Sequence, residues 1–255
     1  MIDSHAHLNY PELKNAIDEI IQRAKGAGVD GIVSICTKLE EISEIKTLVN
    51  KYPDYLWYSI GIHPDYARSE LAKYGEESIY NTLISDGAAV GIGECGFDFR
   101  NGDSEKKEQR KVFQIHINAA IKNGRVLIIH TRNAESETKS VLLENKSLQK
   151  VLIHCFSGTR EFARFALDMG YYISFSGIVT FKNAKEVQEV AKFVPTDRLL
   201  IETDAPFLAP TPLRGKANEP SYVRYTAEYI AKLKGISVED LSEITTDNFK
   251  KIFLY

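Results

Sequence analysis

Eight short apolar or alternating runs recur along this 255-residue chain, at positions 1–7, 29–36, 55–62, 88–94, 125–130, 149–154, 171–176 and 198–204. Between them the apolar period changes. Leu13, Ile17, Ile20, Ile21 and Ala24 mark one face of a helix, as do Val112, Phe113, Ile115, Ala119 and Ala120. Strand and helix therefore alternate, which implies parallel strands joined by right-handed crossovers. Eight such units fit a single closed (β/α)8 barrel, the TIM barrel, occupying 1–255 as one domain, with an open doubly wound sheet as the alternative. Helix punctuation agrees: Gly28 follows the first helix, Gly170 closes the sixth, and Asp103 or Ser104 is placed to cap the fourth. The stretch from Ala205 to Pro220 carries four of the eight prolines and reads as a structured loop after the last strand.

Hydrophobic residues make up 44% of the chain and charged ones 26%, a balance that excludes extensive disorder. The formal net charge of −3 offers no basic footprint for wrapping nucleic acid, although a pocket that grips a few phosphates needs only local cations. Cys36, Cys95 and Cys155 are odd in number and widely spaced, which argues against a disulfide framework and for a reducing cytoplasm. No apolar run approaches the roughly 18 residues of a membrane span. A chain that stays off membranes, as a monomer or weak oligomer, is expected.

Five of the six histidines fall at or just past the C-terminal end of a predicted strand: His5, His7, His63, His130 and His154. His116 sits mid-helix. Glu94 ends the fourth strand in Ala-Val-Gly-Ile-Gly-Glu, and Asp204 ends the eighth in Leu-Leu-Ile-Glu-Thr-Asp. Active sites of such barrels lie on this rim, and imidazoles mixed with carboxylates are the donor set of a metal site. Residues two apart on a strand share a face, so His5 and His7 can reach one ion, with Asp3 on the same side. A carboxylate has two oxygens and can bridge two ions, which makes Glu94 the expected bridge. His130 and His154 then serve the second ion, while Asp204 completes the first and neighbours the water. Glu202, two residues before Asp204, is expected to brace a ligand histidine. Cys95 and Cys155 each follow a proposed ligand directly, so alternation turns both away from the metals as packing residues.

The motifs Asp3-Ser4-His5-Ala6-His7-Leu8, Gly61-Ile62-His63-Pro64, Gly91-Ile92-Gly93-Glu94-Cys95-Gly96-Phe97-Asp98, Ile129-His130-Thr131-Arg132, Ile153-His154-Cys155-Phe156-Ser157-Gly158 and Glu202-Thr203-Asp204-Ala205-Pro206 run from end to end of the chain. In that order and spacing the sequence resembles the TatD family of metal-dependent deoxyribonucleases, as does the late loop Arg214-Gly215-Lys216-Ala217-Asn218-Glu219-Pro220. The resemblance implies a barrel of the amidohydrolase type, a binuclear site on the ligands already named, and 3′→5′ exonuclease activity, endonuclease activity or both on DNA. Cys95, Phe97 and Phe99 depart from the family's usual residues at their positions, without touching the metal ligands.

Two divalent cations, Mg²⁺, Mn²⁺ or Zn²⁺, would activate a shared water and stabilise both oxygens of a phosphodiester displacement, with Asp204 placed to take the proton. The expected substrate is DNA, single-stranded or at a strand end. Arg132, Arg160, Arg214 and Lys216 are candidate phosphate contacts, and His63 is expected either to bond a phosphate oxygen or to bind an additional ion. Phe99 and Phe207 could stack a base, although core packing serves either residue as well. The same metal pair polarises a carbonyl, so a hydrolase of esters or amides such as aminoacyl-tRNA is the rival reading, and a non-catalytic binding barrel is the other.

Overall fold

The computed structural model describes residues 1–255. Its first half runs β1 (Ile2–Ala6), α1 (Pro11–Lys14), α2 (Ile17–Gly26), β2 (Gly31–Ser34), α3 (Ile42–Lys51), β3 (Leu56–Ile60), α4 (Ala67–Ser85), β4 (Gly91–Asp98) and α5 (Lys106–Asn123). The second half runs β5 (Val126–Arg132), α6 (Glu135–Glu144), β6 (Val151–Ile153), α7 (Arg160–Asp168), β7 (Tyr172–Phe175), α8 (Lys185–Phe193), β8 (Leu199–Ile201), α9 (Val223–Lys234) and α10 (Val238–Phe249). The eight strands are hydrogen-bonded in chain order, every adjacent pair parallel. The seam between β8 and β1 is drawn together just beyond the end of β8, where the Asp204 N–H donates to the His5 carbonyl (2.9 Å) and the His7 N–H to that of Ala205 (2.8 Å). The fold is a (β/α)8 barrel, not an open sheet.

Alternation along the strands separates two apolar layers. Residues such as Ile32, Ile60, Leu127, Ile153 and Leu199 pack with the helices in a cluster of 58 buried side chains. Their neighbours Val33, Val126, Ile128, Leu152 and Leu200 form a second cluster with Phe249, Ile252 and Phe253 from the chain's end. Phe249 also meets Trp57, near the start of β3, at 5.2 Å between ring centroids. Aromatic residues therefore close the barrel at the N-terminal ends of its strands, leaving the C-terminal ends for the site. No helix is long and apolar enough to cross a membrane.

Gly28 and Gly170 take positive φ just past α2 and α7, as expected. The cap expected at Asp103 or Ser104 is not found. The first residue before α5 is Glu105, and no side chain caps the helix. A tight turn from the Asp103 carbonyl to the Lys106 N–H occupies that stretch instead. Strand β4 also runs to Asp98, four residues beyond its expected end at Glu94, because the Cys95–Asp98 segment keeps pairing with Ile129–Arg132 after a register shift between Ile92 and Cys95.

Candidate metal centre

That register shift is possible because glycines line it. A Cβ on Gly61 would lie 2.4 Å from the Gly93 backbone, and Gly93, at φ +127°, would place one 2.4 Å from the Ile128 carbonyl oxygen. β3, β4 and β5 therefore approach more closely than side chains permit, and the irregularity turns Glu94 into the mouth of the barrel. A second shift, between Asp3 and Ala6, breaks the alternation of β1. His5 and His7 converge, with ring centroids 5.1 Å apart. Asp3, expected beside them, instead accepts from the Thr203 N–H (2.9 Å) and hydroxyl (2.6 Å).

Glu94 stands at the centre. Its Oε2 lies 2.8 Å from His154 Nε2, 3.5 Å from His130 Nδ1 and 3.8 Å from His5 Nε2, whereas its Oε1 faces His7 Nε2 at 3.6 Å. Asp204 Oδ1 lies 3.3 Å from His7 Nε2 and 3.6 Å from His5 Nε2. Potential ligand atoms gather within 4.8 Å of one another in four overlapping groups: His5, His7 and Glu94; Glu94, His130 and His154; His5, His154 and Asp204; and His63, Asp98 and His130. Glu94 belongs to two of them. The six expected metal ligands thus meet at one place, drawn from five different strands or strand ends.

The chemistry of these donors fits divalent cations. Both ring nitrogens of His5 and the Nδ1 of His7 are buried with no hydrogen-bond partner, a costly arrangement for a polar group unless an ion takes the lone pair. Burial holds His5 well below the usual imidazole range, in the neutral form that ligates. Burial works against ionising Glu94, but the imidazoles gathered around it hold its carboxyl well below the ordinary range. The other nitrogens of His130 and His154 are each tied to a carboxylate, His130 Nε2 to Asp98 (3.1 Å) and His154 Nδ1 to Glu202 (3.3 Å). These contacts fix the tautomers so that His130 Nδ1 and His154 Nε2 face Glu94. Glu202 also accepts the Cys155 N–H at 2.7 Å. The approach of Asp98 to His130 depends on β4 continuing past Glu94, which the sequence pattern does not signal.

A cavity of about 660 Å³ opens over this cluster. His63 lies on its wall, His63 Nδ1 accepting from the Asp65 N–H, so that Nε2 carries the proton. Burial lowers the His63 pKa to about 3, keeping the ring neutral. Arg132 also lines the cavity, exposed and without a carboxylate partner. The other three expected phosphate contacts do not. Arg160 lies over the Phe193 ring (4.6 Å), Arg214 over that of Phe181 (3.7 Å), and Lys216 is exposed in the late loop. In their place the wall includes Arg100, paired with Asp65 and Asp98, in the stretch just past β4. Phe99 packs against the core, whereas Phe207 is 48% exposed at the mouth. Cys95 is buried as expected, but Cys155 is not turned away. β6 ends at Ile153, strand alternation lapses there, and at φ +46° Cys155 reaches the cavity wall with Sγ 3.9 Å from Asp204 Oδ2.

The family model described as TatD related DNase matches residues 2–254. The chain belongs to the TatD family. Among TatD relatives it is 40% identical to the uncharacterized metal-dependent hydrolase YabD of Bacillus subtilis, over 99% of this chain and 98% of that one. It is 39% identical to the uncharacterized metal-dependent hydrolase YcfH of Escherichia coli, over 99% and 95%. The crystal structure of YjjV, a TatD homologue from Escherichia coli, superposes with a TM-score of 0.93 at 23% identity, covering 100% of this chain and 98% of that one, and shares the fold. The chain is a metal-dependent hydrolase of the TatD type.

Proposed function

We propose that this hydrolase is a deoxyribonuclease that cleaves phosphodiester bonds at a single-stranded end, using two divalent cations held around Glu94. The observation that carries the reading is the pairing of that donor set with Arg132, an uncompensated guanidinium on the same cavity wall. A cation so placed suits a phosphate, whereas a small neutral ester or amide offers it no anion. His5, His7, Glu94 and Asp204 would hold one ion, and Glu94, His130 and His154 the other. When bound, the pair supplies a water of lowered pKa and offsets charge on the phosphoryl oxygens.

The chain's own residues supply the rest. Asp204, whose side chain is 15% exposed beside His7, is placed to take a proton from the attacking water. The new bond joins water oxygen to phosphorus, the bond to a deoxyribose oxygen breaks, and that oxygen leaves with the proton that Asp204 took from the water. Neutral His63 donates its Nε2–H to a phosphate oxygen. Three free thiols support a reducing, cytoplasmic setting.

The test uses single-stranded DNA labelled at either end, with Mg²⁺, Mn²⁺ or Zn²⁺ and Glu94→Ala as the matched control. Metal-dependent cleavage that disappears in the variant is expected. Cleavage that survives it undiminished, or hydrolysis of carboxylic esters with no action on DNA, overturns the reading.

A further inference from the structure

The walls of the cavity are chemically unlike. Over β7, β8 and β1 they are apolar and aromatic: Ile178 follows β7, Phe207 and Leu208 follow β8, and Tyr10 follows β1. Over β4 and β5 they carry Arg100 and Arg132. In a barrel whose strands pair in chain order these two arcs face each other across the mouth, with Glu94 and Asp204 between them.

Phe207 is the most exposed side chain of the apolar arc. It meets His7 and Tyr10 at steep angles, 68° and 89°, at centroid distances of 6.0 and 5.9 Å. Its backbone is held rigidly: the side-chain amide of Asn218, itself completely buried, donates to the Phe207 carbonyl (2.6 Å) and the Thr203 carbonyl (2.8 Å). A half-exposed phenyl on a fixed loop costs apolar hydration and fills no core space, which suits a platform that stacks a flat ring with little further ordering.

Resting on the phosphodiesterase reading, the geometry points to a strand end bound in one orientation, its terminal nucleobase stacked on Phe207 with an edge towards Tyr10, and the phosphate beyond the scissile one on Arg132 and Arg100. The scissile phosphate then lies over Glu94. A cavity of about 660 Å³ matches a ligand of one or two nucleotides and excludes a duplex. The enzyme therefore selects an end whose terminal base is unpaired and present.

The experiment compares two single-stranded oligonucleotides, identical except that one has a tetrahydrofuran in place of the terminal nucleoside, tested at each end in turn with Mn²⁺ and the intact enzyme. At the end it attacks, wild type is expected to favour the complete strand in kcat/KM by about tenfold or more, the size of one base–aromatic stack. Phe207→Ala should bring that ratio towards one, and Phe207→Trp should keep it. Arg132→Gln should raise KM for both strands and leave their ratio alone. A wild-type ratio near one, or a Phe207→Ala variant that slows both strands while the ratio persists, overturns the stacking assignment. An unaltered KM in Arg132→Gln overturns the phosphate assignment. Cleavage indifferent to the terminal base leaves the deoxyribonuclease reading standing and removes only this inference, whereas no cleavage of either strand removes both.

Discussion

Glu202 has no access to solvent, yet it touches the site twice, through His154 Nδ1 and the Cys155 N–H. Because the charge on Glu202 orients the imidazole and raises its basicity, Glu202→Gln should weaken metal retention by about 10–100-fold. Metal content after dialysis against a weak chelator, measured by elemental analysis, checks this, and retention equal to wild type would refute it. The convergence of His5, His7, Glu94, His130, His154 and Asp204 was legible in the sequence because so few residue types ligate metals and so many stood near strand ends. Asp98 stood at the end of the Gly91–Asp98 motif without a role, and Arg100 was not legible, since a register shift carries no composition signal. The diversion of Arg160 and Arg214 onto Phe193 and Phe181 was equally hidden, because those rings come from distant or unmarked segments.

At the scale of elements, two contacts hold the third and fourth strands in place. The closeness of Gly61 to the Gly93 backbone leaves no room for a methyl group, so Gly61→Ala must push β3 from β4. A loss of roughly 1–3 kcal/mol in stability is expected, with metal binding impaired as Glu94 shifts. Urea denaturation and metal content report the two effects separately. His116, the histidine that the sequence left mid-helix, pins α5 to the segment after β3: its Nε2 accepts from the Ile62 N–H (3.0 Å) and its Nδ1–H donates to the Val112 carbonyl (2.8 Å). Burial lowers its pKa from 6.5 to about 4. Between those values the unfolded chain binds the proton and the folded one does not. The contribution is thus complete above pH 6.5 and falls away as pH drops towards 4, amounting to roughly 3 kcal/mol. His116→Gln should flatten that part of the stability–pH curve, and an unchanged curve would count against it. The strand–helix rhythm announced the eight strands well. Their ends were less readable, because pairing with a neighbour, as in Cys95–Asp98, decides where a strand stops.

For the molecule as a whole, stability and chemistry occupy opposite ends of the barrel. Phe249→Ala, in the aromatic plug, should cost about 3–5 kcal/mol by emptying core volume while kcat per folded molecule stays at the wild-type value. Calorimetry beside active-site-normalised kinetics separates the two, and a fall in kcat of the folded fraction would contradict it. The seam between β8 and β1 also joins distant parts of the chain. Asp3 and Thr203, 200 positions apart, are hydrogen-bonded there, and the backbones of His5 and Asp204 meet beside them. Ions held by His5 and Asp204 would act as a clasp on the long stretch of chain between them. Every increment of metal affinity would then become resistance to unfolding, and Asp204 itself must have left the ribosome before the clasp can shut.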